Sequence, residues 1–105
     1  MTEFNPVSVT KLASIYFDGQ VTSRKITFTD GSTKTLGIMM PGEYTFATVE
    51  KELMEIQQGS VAVLMPGSDT WQNYKAGQAF EVMANSSFKI KVHELADYCC
   101  SYLND

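Results

Sequence analysis

The chain has 105 residues, 44% of them hydrophobic, which suits one domain with one buried core. Its 8 basic and 12 acidic side chains give a formal net charge of −4 without a run of like charges, so binding to a nucleic-acid backbone is not expected. The longest apolar run covers residues 61–65, which is too short to cross a bilayer, and we expect no membrane partner.

Turn-forming pairs punctuate the chain, and most of them lie roughly 8 to 12 residues apart, as in β-sandwiches and barrels. These pairs are Asp18-Gly19, Asp30-Gly31, Pro41-Gly42, Gln58-Gly59, Pro66-Gly67 and Ala76-Gly77. The segments between them are short and rich in residues that suit a pleated sheet. We therefore expect one all-β domain over residues 1–105.

The first half of the chain contains one clear hairpin and two ambiguous segments. Residues 7–16 fit either a strand or a short helix. Residues 25–29 and 32–39 flank an Asp-Gly pair, and a glycine can take the positive φ that a tight hairpin needs. Residues 50–58 contain side chains that favour a helix, but the short length of this segment favours a strand.

The last third of the chain contains a strand with one face toward water. In residues 88–93 apolar and polar side chains alternate strictly, so Phe88, Ile90 and Val92 share the core face. His93, the single histidine, is on the other face and is expected to lie at the surface without a catalytic role.

The two cysteines, Cys99 and Cys100, are adjacent in sequence. This spacing excludes both a disulfide framework and the CxxC motif of a metal or redox site, so we expect a reducing, cytoplasmic setting. On a strand the two thiols face opposite sides, and without a histidine partner neither is expected to act as a nucleophile.

From Pro41 onward the chain resembles the cupin pattern, in which histidines and a glutamate point into a jelly-roll barrel to hold a metal. Tyr44, Phe46 and Phe88 stand where three histidines would be, and Glu52 has about the spacing of the ligand glutamate. One carboxylate among aromatic rings is a poor donor set for a transition metal. We therefore expect a cupin-type jelly-roll barrel without a metal site.

A narrower resemblance covers nearly the whole chain. It is carried by the following residues in this order: Phe17-Asp18-Gly19-Gln20-Val21, Gly37-Ile38-Met39, Gly42-Glu43-Tyr44-Thr45-Phe46, Trp71, Gly77 and Tyr98-Cys99-Cys100-Ser101-Tyr102-Leu103. In these motifs the chain resembles the small pyrimidine/purine nucleoside phosphorylase family. The resemblance implies phosphorolysis of nucleosides of both base classes to free base and pentose 1-phosphate, by a metal-free homodimer with inorganic phosphate as co-substrate and no other cofactor.

The chemistry of phosphorolysis points to particular side chains. Glu52 is a candidate to bind the ribose hydroxyls or to stabilise positive charge on the sugar, and Tyr44 and Tyr98 are candidate donors to phosphate or base. Aromatic side chains expected to clasp the base are Phe46, Trp71, Phe80 and Phe88. The alternatives are plain core packing for the phenylalanines and Tyr44, and for Trp71 a lid, a dimer contact or a cap on the core. The role of Glu52 depends on its pointing inward, because a helix or a one-residue shift in this segment would make it a solvated surface charge.

One departure from the family bears on phosphate binding. Family members can carry an arginine where this chain has Ser101. If that arginine binds phosphate, Lys34, on the far arm of the predicted hairpin, is the candidate to replace its charge.

Two other functional classes remain open at this point. The shortage of a phosphate-binding arginine is compatible with a non-catalytic cupin that binds a nucleoside or a sugar. The cupin motif skeleton is compatible with a metal-dependent enzyme such as an isomerase or a dioxygenase, although the missing histidines oppose it.

Overall fold

A computed structural model describes residues 2–103, which form nine β-strands and no α-helix. The strands are β1 (Val7–Val9), β2 (Ser14–Tyr16), β3 (Val21–Phe28), β4 (Thr33–Met39), β5 (Gly42–Ala47), β6 (Lys51–Leu64), β7 (Trp71–Lys75), β8 (Ala79–Val82) and β9 (Ser87–Leu103). A short 3-10 turn, Phe17–Gly19, connects β2 to β3. The expectation of an all-β chain is confirmed.

All nine strands belong to one antiparallel sheet, whose main path runs β1-β3-β4-β9-β6-β7. The long strands β6 and β9 pair with each other along most of their length. Their other partners change along the way: β4 and β8 pair near one end of the β6–β9 ladder, whereas β5 and β7 pair near the other. The sheet thus folds over itself around a common core, and among the described strands no hydrogen-bonded pairing closes it into a ring.

Neither of the two ambiguous segments forms a helix. Residues 7–16 contain the short strands β1 and β2, and residues 51–58 lie in β6. The hairpin around Asp30-Gly31 is confirmed, with Thr27 opposite Thr33 next to the turn.

The expectation of a turn at Gln58-Gly59 is wrong. The chain continues through this point inside β6, and the β6–β9 register shifts on either side of Gln58 as in a β-bulge. Gly59 has φ +92, and a Cβ atom there would collide with the backbone oxygen of Leu95. Gly59 therefore allows a β-bulge at this position and does not reverse the direction of the chain.

The core lies between the two halves of the folded sheet. Its largest fully buried side chains are Val21, Met39, Ile56, Val61, Val63, Val82 and Ile90. Burying each such side chain stabilises the fold by roughly 1.5–3 kcal/mol. The predicted alternation on β9 is confirmed, because Phe88, Ile90 and Val92 are buried and His93 is exposed. In residues 2–103 no helix has the length and apolar character that a membrane span requires.

Candidate functional site

A cavity of about 230 Å³ opens inside the folded sheet. It is lined by Tyr16, Ser23, Thr35, Met39, Phe46, Ala47, Glu52, Met54, Phe88, Tyr98, Cys100 and Tyr102. Tyr16 and Ala47 are the exposed members of this set, so they mark the opening. Phe46, next to Ala47, is half-buried, whereas Phe88, Tyr98 and Cys100 are buried. The cavity thus has an aromatic mouth and a closed interior.

The polar wall of the cavity comes from β9 and its neighbours. Because side chains alternate along a strand, Tyr98, Cys100 and Tyr102 project from one face of β9. Glu52 lies directly opposite Tyr102 in the β6–β9 register and therefore projects to the same side. The Cys100 thiol lies 3.5 Å from Glu52 Oε1 and donates to it.

The two tyrosine hydroxyls of this wall are held by hydrogen bonds. The Tyr102 hydroxyl is 3.3 Å from Thr35 Oγ1, with either atom able to donate. The Tyr98 hydroxyl donates to the backbone oxygen of Thr22 at 3.2 Å. Both phenols are thereby fixed at defined positions along the cavity.

The acidic groups in the cavity are biased toward their protonated forms. Burial is the main cause that raises the pKa of Glu52; the negative charge of Glu50 adds to it, and the hydrogen bond from Cys100 opposes it. Burial and the neighbouring Glu52 also raise the pKa of the Cys100 thiol. Burial raises the pKa of Tyr102 to about 12. The wall therefore presents neutral O–H and S–H groups and one carboxyl with an elevated proton affinity.

Four of the predicted site residues meet at this cavity, namely Phe46, Glu52, Phe88 and Tyr98. Phe46 and Phe88 are neighbouring rings with centroids 5.7 Å apart. The inward direction of Glu52, on which its predicted role depends, is the one observed. Whether these side chains act on substrate stays a prediction.

Tyr44 and Phe80 lie in the core beside the cavity but do not line it. The Tyr44 hydroxyl donates to the backbone oxygen of Met40 at 2.7 Å, and the side chain is 5% exposed. This placement does not support direct catalysis by Tyr44, because its hydroxyl is already bonded to the backbone. Phe80 is buried and stacks on Tyr74, with ring centroids 4.8 Å apart, which agrees with the core-packing alternative.

Lys34 and Ser101 lie on the opposite side of the sheet from the cavity. They face each other in the β4–β9 register, one position along from Thr35 and Cys100, which line the cavity. Lys34 Nζ instead lies 5.4 Å from the centre of the Phe4 ring. The Lys34 charge therefore lies outside the pocket, which does not support its candidate role at phosphate, and Ser101 is likewise outside the pocket.

Trp71 also lies outside the cavity. It begins the edge strand β7, is half-buried and has Lys91 Nζ 4.1 Å from its ring centre. This placement removes the lid alternative over the cavity and leaves a surface contact or a cap on the core.

Several residues that line the cavity were not predicted. Cys100 and Tyr102 share a face with Tyr98, and the alternation of β9 was a sufficient signal for both. Ser23 and Thr35 carry no motif, and the sequence shows no pattern that would select them. Tyr16 lies in a segment whose structure the sequence left open.

The donor set offers little to a metal ion. Among the described residues no group of three or more histidine, cysteine, aspartate or glutamate side chains converges. In the cavity, Glu52 is accompanied by a thiol whose raised pKa keeps its proton, and by Phe46 and Phe88, which have no donor atoms.

A larger but shallower surface depression, of about 620 Å³, lies elsewhere between β6, β8 and the end of β9. It contains an ion pair between Lys51 and Glu81 at 3.2 Å, with both side chains partly exposed. It is open to solvent and has no convergent set of buried polar groups, so the smaller internal cavity is the better candidate for chemistry.

Comparison with known proteins defines the family. The family model described as pyrimidine/purine nucleoside phosphorylase matches residues 11–102. The chain belongs to the pyrimidine/purine nucleoside phosphorylase family. This confirms the resemblance stated from the motifs, and it confirms that the chain is a member of a family of enzymes.

Curated relatives agree over the full length. A pyrimidine/purine nucleoside phosphorylase from Colwellia psychrerythraea is 61% identical, covering 99% of this chain and 100% of the relative. A protein of the same name from Syntrophotalea carbinolica is 59% identical, covering 98% of this chain and 99% of the relative.

Solved structures support the fold. A protein of unknown function from Acinetobacter sp. ADP1 has a TM-score of 0.93 and 39% identity, covering 96% of this chain and 98% of that chain. An RmlC-like cupin from Shewanella frigidimarina has a TM-score of 0.69 at 14% identity, covering 95% of this chain and 86% of that chain. The predicted cupin-type fold is confirmed, with a sheet that is folded but not closed.

Proposed function

We propose that this protein is a nucleoside phosphorylase that transfers the pentose of purine and pyrimidine nucleosides to inorganic phosphate. The observation that carries the proposal is the cavity in which Glu52, of raised pKa, lies among neutral hydroxyl groups. Family membership supports the reaction type. Cleavage of an N-glycosidic bond needs an acid for the departing base and hydrogen-bond donors for the sugar and the oxyanion.

In the proposed step Glu52 is the general acid. The C1′–N bond breaks and its electron pair stays on the base nitrogen, which receives the carboxyl proton of Glu52. An oxygen of hydrogen phosphate forms the new C1′–O bond. The phosphate proton then returns to Glu52, so that free base and pentose 1-phosphate leave and the carboxyl is ready for the next cycle.

Neutral donors in the cavity suit the phosphate and the ribose. Ser23, Thr35 and Tyr102 line it with hydroxyl groups that can donate, whereas the Tyr98 hydroxyl already donates to the backbone oxygen of Thr22 and can only accept from a ligand. No lysine or arginine lines it in the described part of the chain. A protonated Glu52 avoids the repulsion that a carboxylate would exert on phosphate.

The positive charge that phosphate needs is proposed to come from Lys25. This residue lies opposite Thr35 in the β3–β4 register, so both side chains project from the cavity face of the sheet. Lys25 is exposed, and no hydrogen bond or ion pair joins its ammonium group to another residue in positions 2–103. Its four-carbon stem allows the ammonium group to approach an anion at the cavity edge.

Acceptance of both base classes follows from the size of the cavity. Pockets that surround a drug-sized ligand usually measure about 300–1,000 Å³. At about 230 Å³ this cavity is too small to enclose a nucleoside together with phosphate, so part of the substrate lies at the mouth. If the sugar and the phosphate occupy the polar interior, the base lies outside it, where its size is not limited.

We also propose that the reaction needs no metal and no cofactor other than phosphate as co-substrate, given the poor donor set around Glu52. A cytoplasmic location is proposed from the two free cysteines. A homodimer is proposed from the outer face of β3 and β4 and of the short strands beside them. This face presents the exposed side chains of Val9 and Ile15 and the half-buried side chains of Leu36 and Ile38.

The test is release of free base from adenosine and from uridine by chelator-treated protein, with and without phosphate. We expect both bases to be released only when phosphate is present, with pentose 1-phosphate formed in equal amount. Folded protein that binds nucleosides without turnover would instead select the non-catalytic cupin. Activity that is lost on chelation and restored by one metal ion would overturn the metal-free mechanism.

A further inference from the structure

We propose that Phe17, on the turn between β2 and β3, is the residue on which the nucleobase stacks at the mouth of the cavity. This inference rests on the proposed phosphorylase function and adds a substrate-binding residue to it. Phe17 lies next to Tyr16, which lines the cavity at its opening. Both aromatic side chains are 45% exposed, although large aromatic side chains usually bury most of their surface.

The ring of Phe17 belongs to a group of aromatic rings that continues into the cavity. Its centroid lies 5.0 Å from that of Tyr44 and 5.5 Å from that of Phe46, to which it is perpendicular. Phe46 in turn lies 5.7 Å from Phe88 in the cavity interior. A flat ring entering the mouth therefore meets aromatic surface, and every nucleobase has a π-face that can use it.

The backbone that presents Phe17 is strained. Phe17 has φ 52 and the next residue, Asp18, has φ 55, so two successive residues with side chains occupy the left-handed region. This region is unfavourable for residues other than glycine, and least favourable for bulky ones. Such strain persists where the surroundings impose it, and it concentrates at ligand-binding and catalytic sites.

Hydrogen bonds to neighbouring elements impose this conformation. Gln20 N donates to the oxygen of Phe17 at 3.1 Å, and Met40 N donates to the oxygen of Gln20 at 2.8 Å. The oxygen of Met40 accepts from the Tyr44 hydroxyl at 2.7 Å. Tyr44 therefore contacts the ring of Phe17 directly, and through Met40 it also holds Gln20, the residue that closes the turn, which makes Tyr44 a positioning residue.

This arrangement explains how one small cavity serves bases of two sizes. A stacking surface outside the enclosed volume contacts the face of the base and reads none of its edges. A single-ring and a double-ring base then bind in the same way, while the interior holds the common pentose.

The test is a comparison of two glycine variants in steady-state kinetics. Phe17→Gly removes the ring and relieves the backbone, whereas Asp18→Gly relieves the adjacent strained position and keeps the ring. We expect Phe17→Gly to raise the KM for both adenosine and uridine about 10-fold, as for loss of one stacking contact, with the KM for phosphate within about 2-fold. Asp18→Gly should leave all three KM values near those of the wild type.

Further variants and a binding measurement keep the inference separable from the function. Phe17→Leu keeps an apolar side chain but loses the aromatic face, so it should also weaken nucleoside binding. Phe17→Tyr keeps the aromatic face and should bind nucleosides as the wild type does. Unchanged nucleoside KM values in folded Phe17→Gly overturn the inference and leave the phosphorylase function intact. If the wild type shows no turnover, the proposed function fails, and calorimetric binding of adenosine and uridine to the same variants decides the stacking role.

Discussion

Glu52 is the residue on which the proposed chemistry depends. A general acid contributes about 100-fold to 10,000-fold to a rate, so Glu52→Gln should lower kcat at least about 100-fold while substrate KM values change little. Glu55→Gln is the matched control, because it makes the same substitution on the opposite face of the same strand. Equal activity of Glu52→Gln and Glu55→Gln in the phosphorolysis assay would rule out the assigned role.

The raised pKa of Glu52 fixes the sign of two pH effects. Activity should fall as the pH rises through this pKa, which lies above the ordinary carboxyl value of 4.5, because the acid is then lost. The folded protein holds this proton more tightly than the unfolded chain does. The protonated Glu52 carboxyl therefore makes its full contribution to stability below the unfolded pKa, and this contribution is lost as the pH rises through the folded pKa. Above that pH, Glu52→Gln should melt at a higher temperature than the wild type, and the difference should shrink in acid.

At the scale of strands, alternation was the most informative signal in the sequence. It gave the buried face of β9 and the opposite directions of Cys99 and Cys100. The same alternation puts Ser101 on the side of Cys99, away from the cavity, and strand pairing puts Lys34 beside it. The predicted role of Ser101 depended on its family position and that of Lys34 on its place in the hairpin, and neither signal fixes the face of the strand. A one-residue step along a strand moves a side chain to the other face.

Other features of the strands could not be read from the sequence. A glycine beside a polar residue signals a turn. Gly59 forms a bulge instead, because β6 pairs with β9 both before and after this position. The cavity position of Glu52 followed from its spacing in the cupin pattern. Tyr16, Ser23 and Thr35 join it through pairings between strands distant in sequence, which no local pattern encodes.

The register of β3 leads to a prediction for phosphate. Lys25→Met should raise the KM for phosphate about 10-fold, because it removes one charge-assisted contact, and should leave the KM for nucleosides unchanged. Arg24→Met is the control, since Arg24 carries the same charge on the adjacent, oppositely directed position of β3. Initial rates at several phosphate concentrations distinguish the two variants, and similar phosphate KM values for both would exclude Lys25 from the site.

For the whole molecule, the apolar outer face of β3 and β4 predicts the oligomeric state. Ile15 is 67% exposed. It pairs with Thr22 of β3, which pairs with Ile38 of β4, so the three side chains project from the same face of the sheet. Light scattering should give twice the chain mass of 11.7 kDa, and Ile38→Glu should shift the protein toward the monomer. Val49→Glu, at an 80% exposed position on the loop between β5 and β6, should leave the mass unchanged. A monomeric wild type would contradict the dimer.

The adjacent cysteines give the molecule two separate chemical reporters. Cys100 faces the cavity beside Glu52, whereas Cys99 is buried on the other face of the sheet, so their sulfur atoms lie on opposite sides of β9. A thiol reagent that reaches Cys100 must enter through the mouth and competes with substrate. A thiol reagent that reaches Cys99 must pass the outer face of the sheet, so it competes with a partner molecule bound there. In a variant with Cys99 replaced by serine, the reaction of Cys100 therefore records occupancy of the cavity. In a variant with Cys100 replaced by serine, the reaction of Cys99 records association at the outer face.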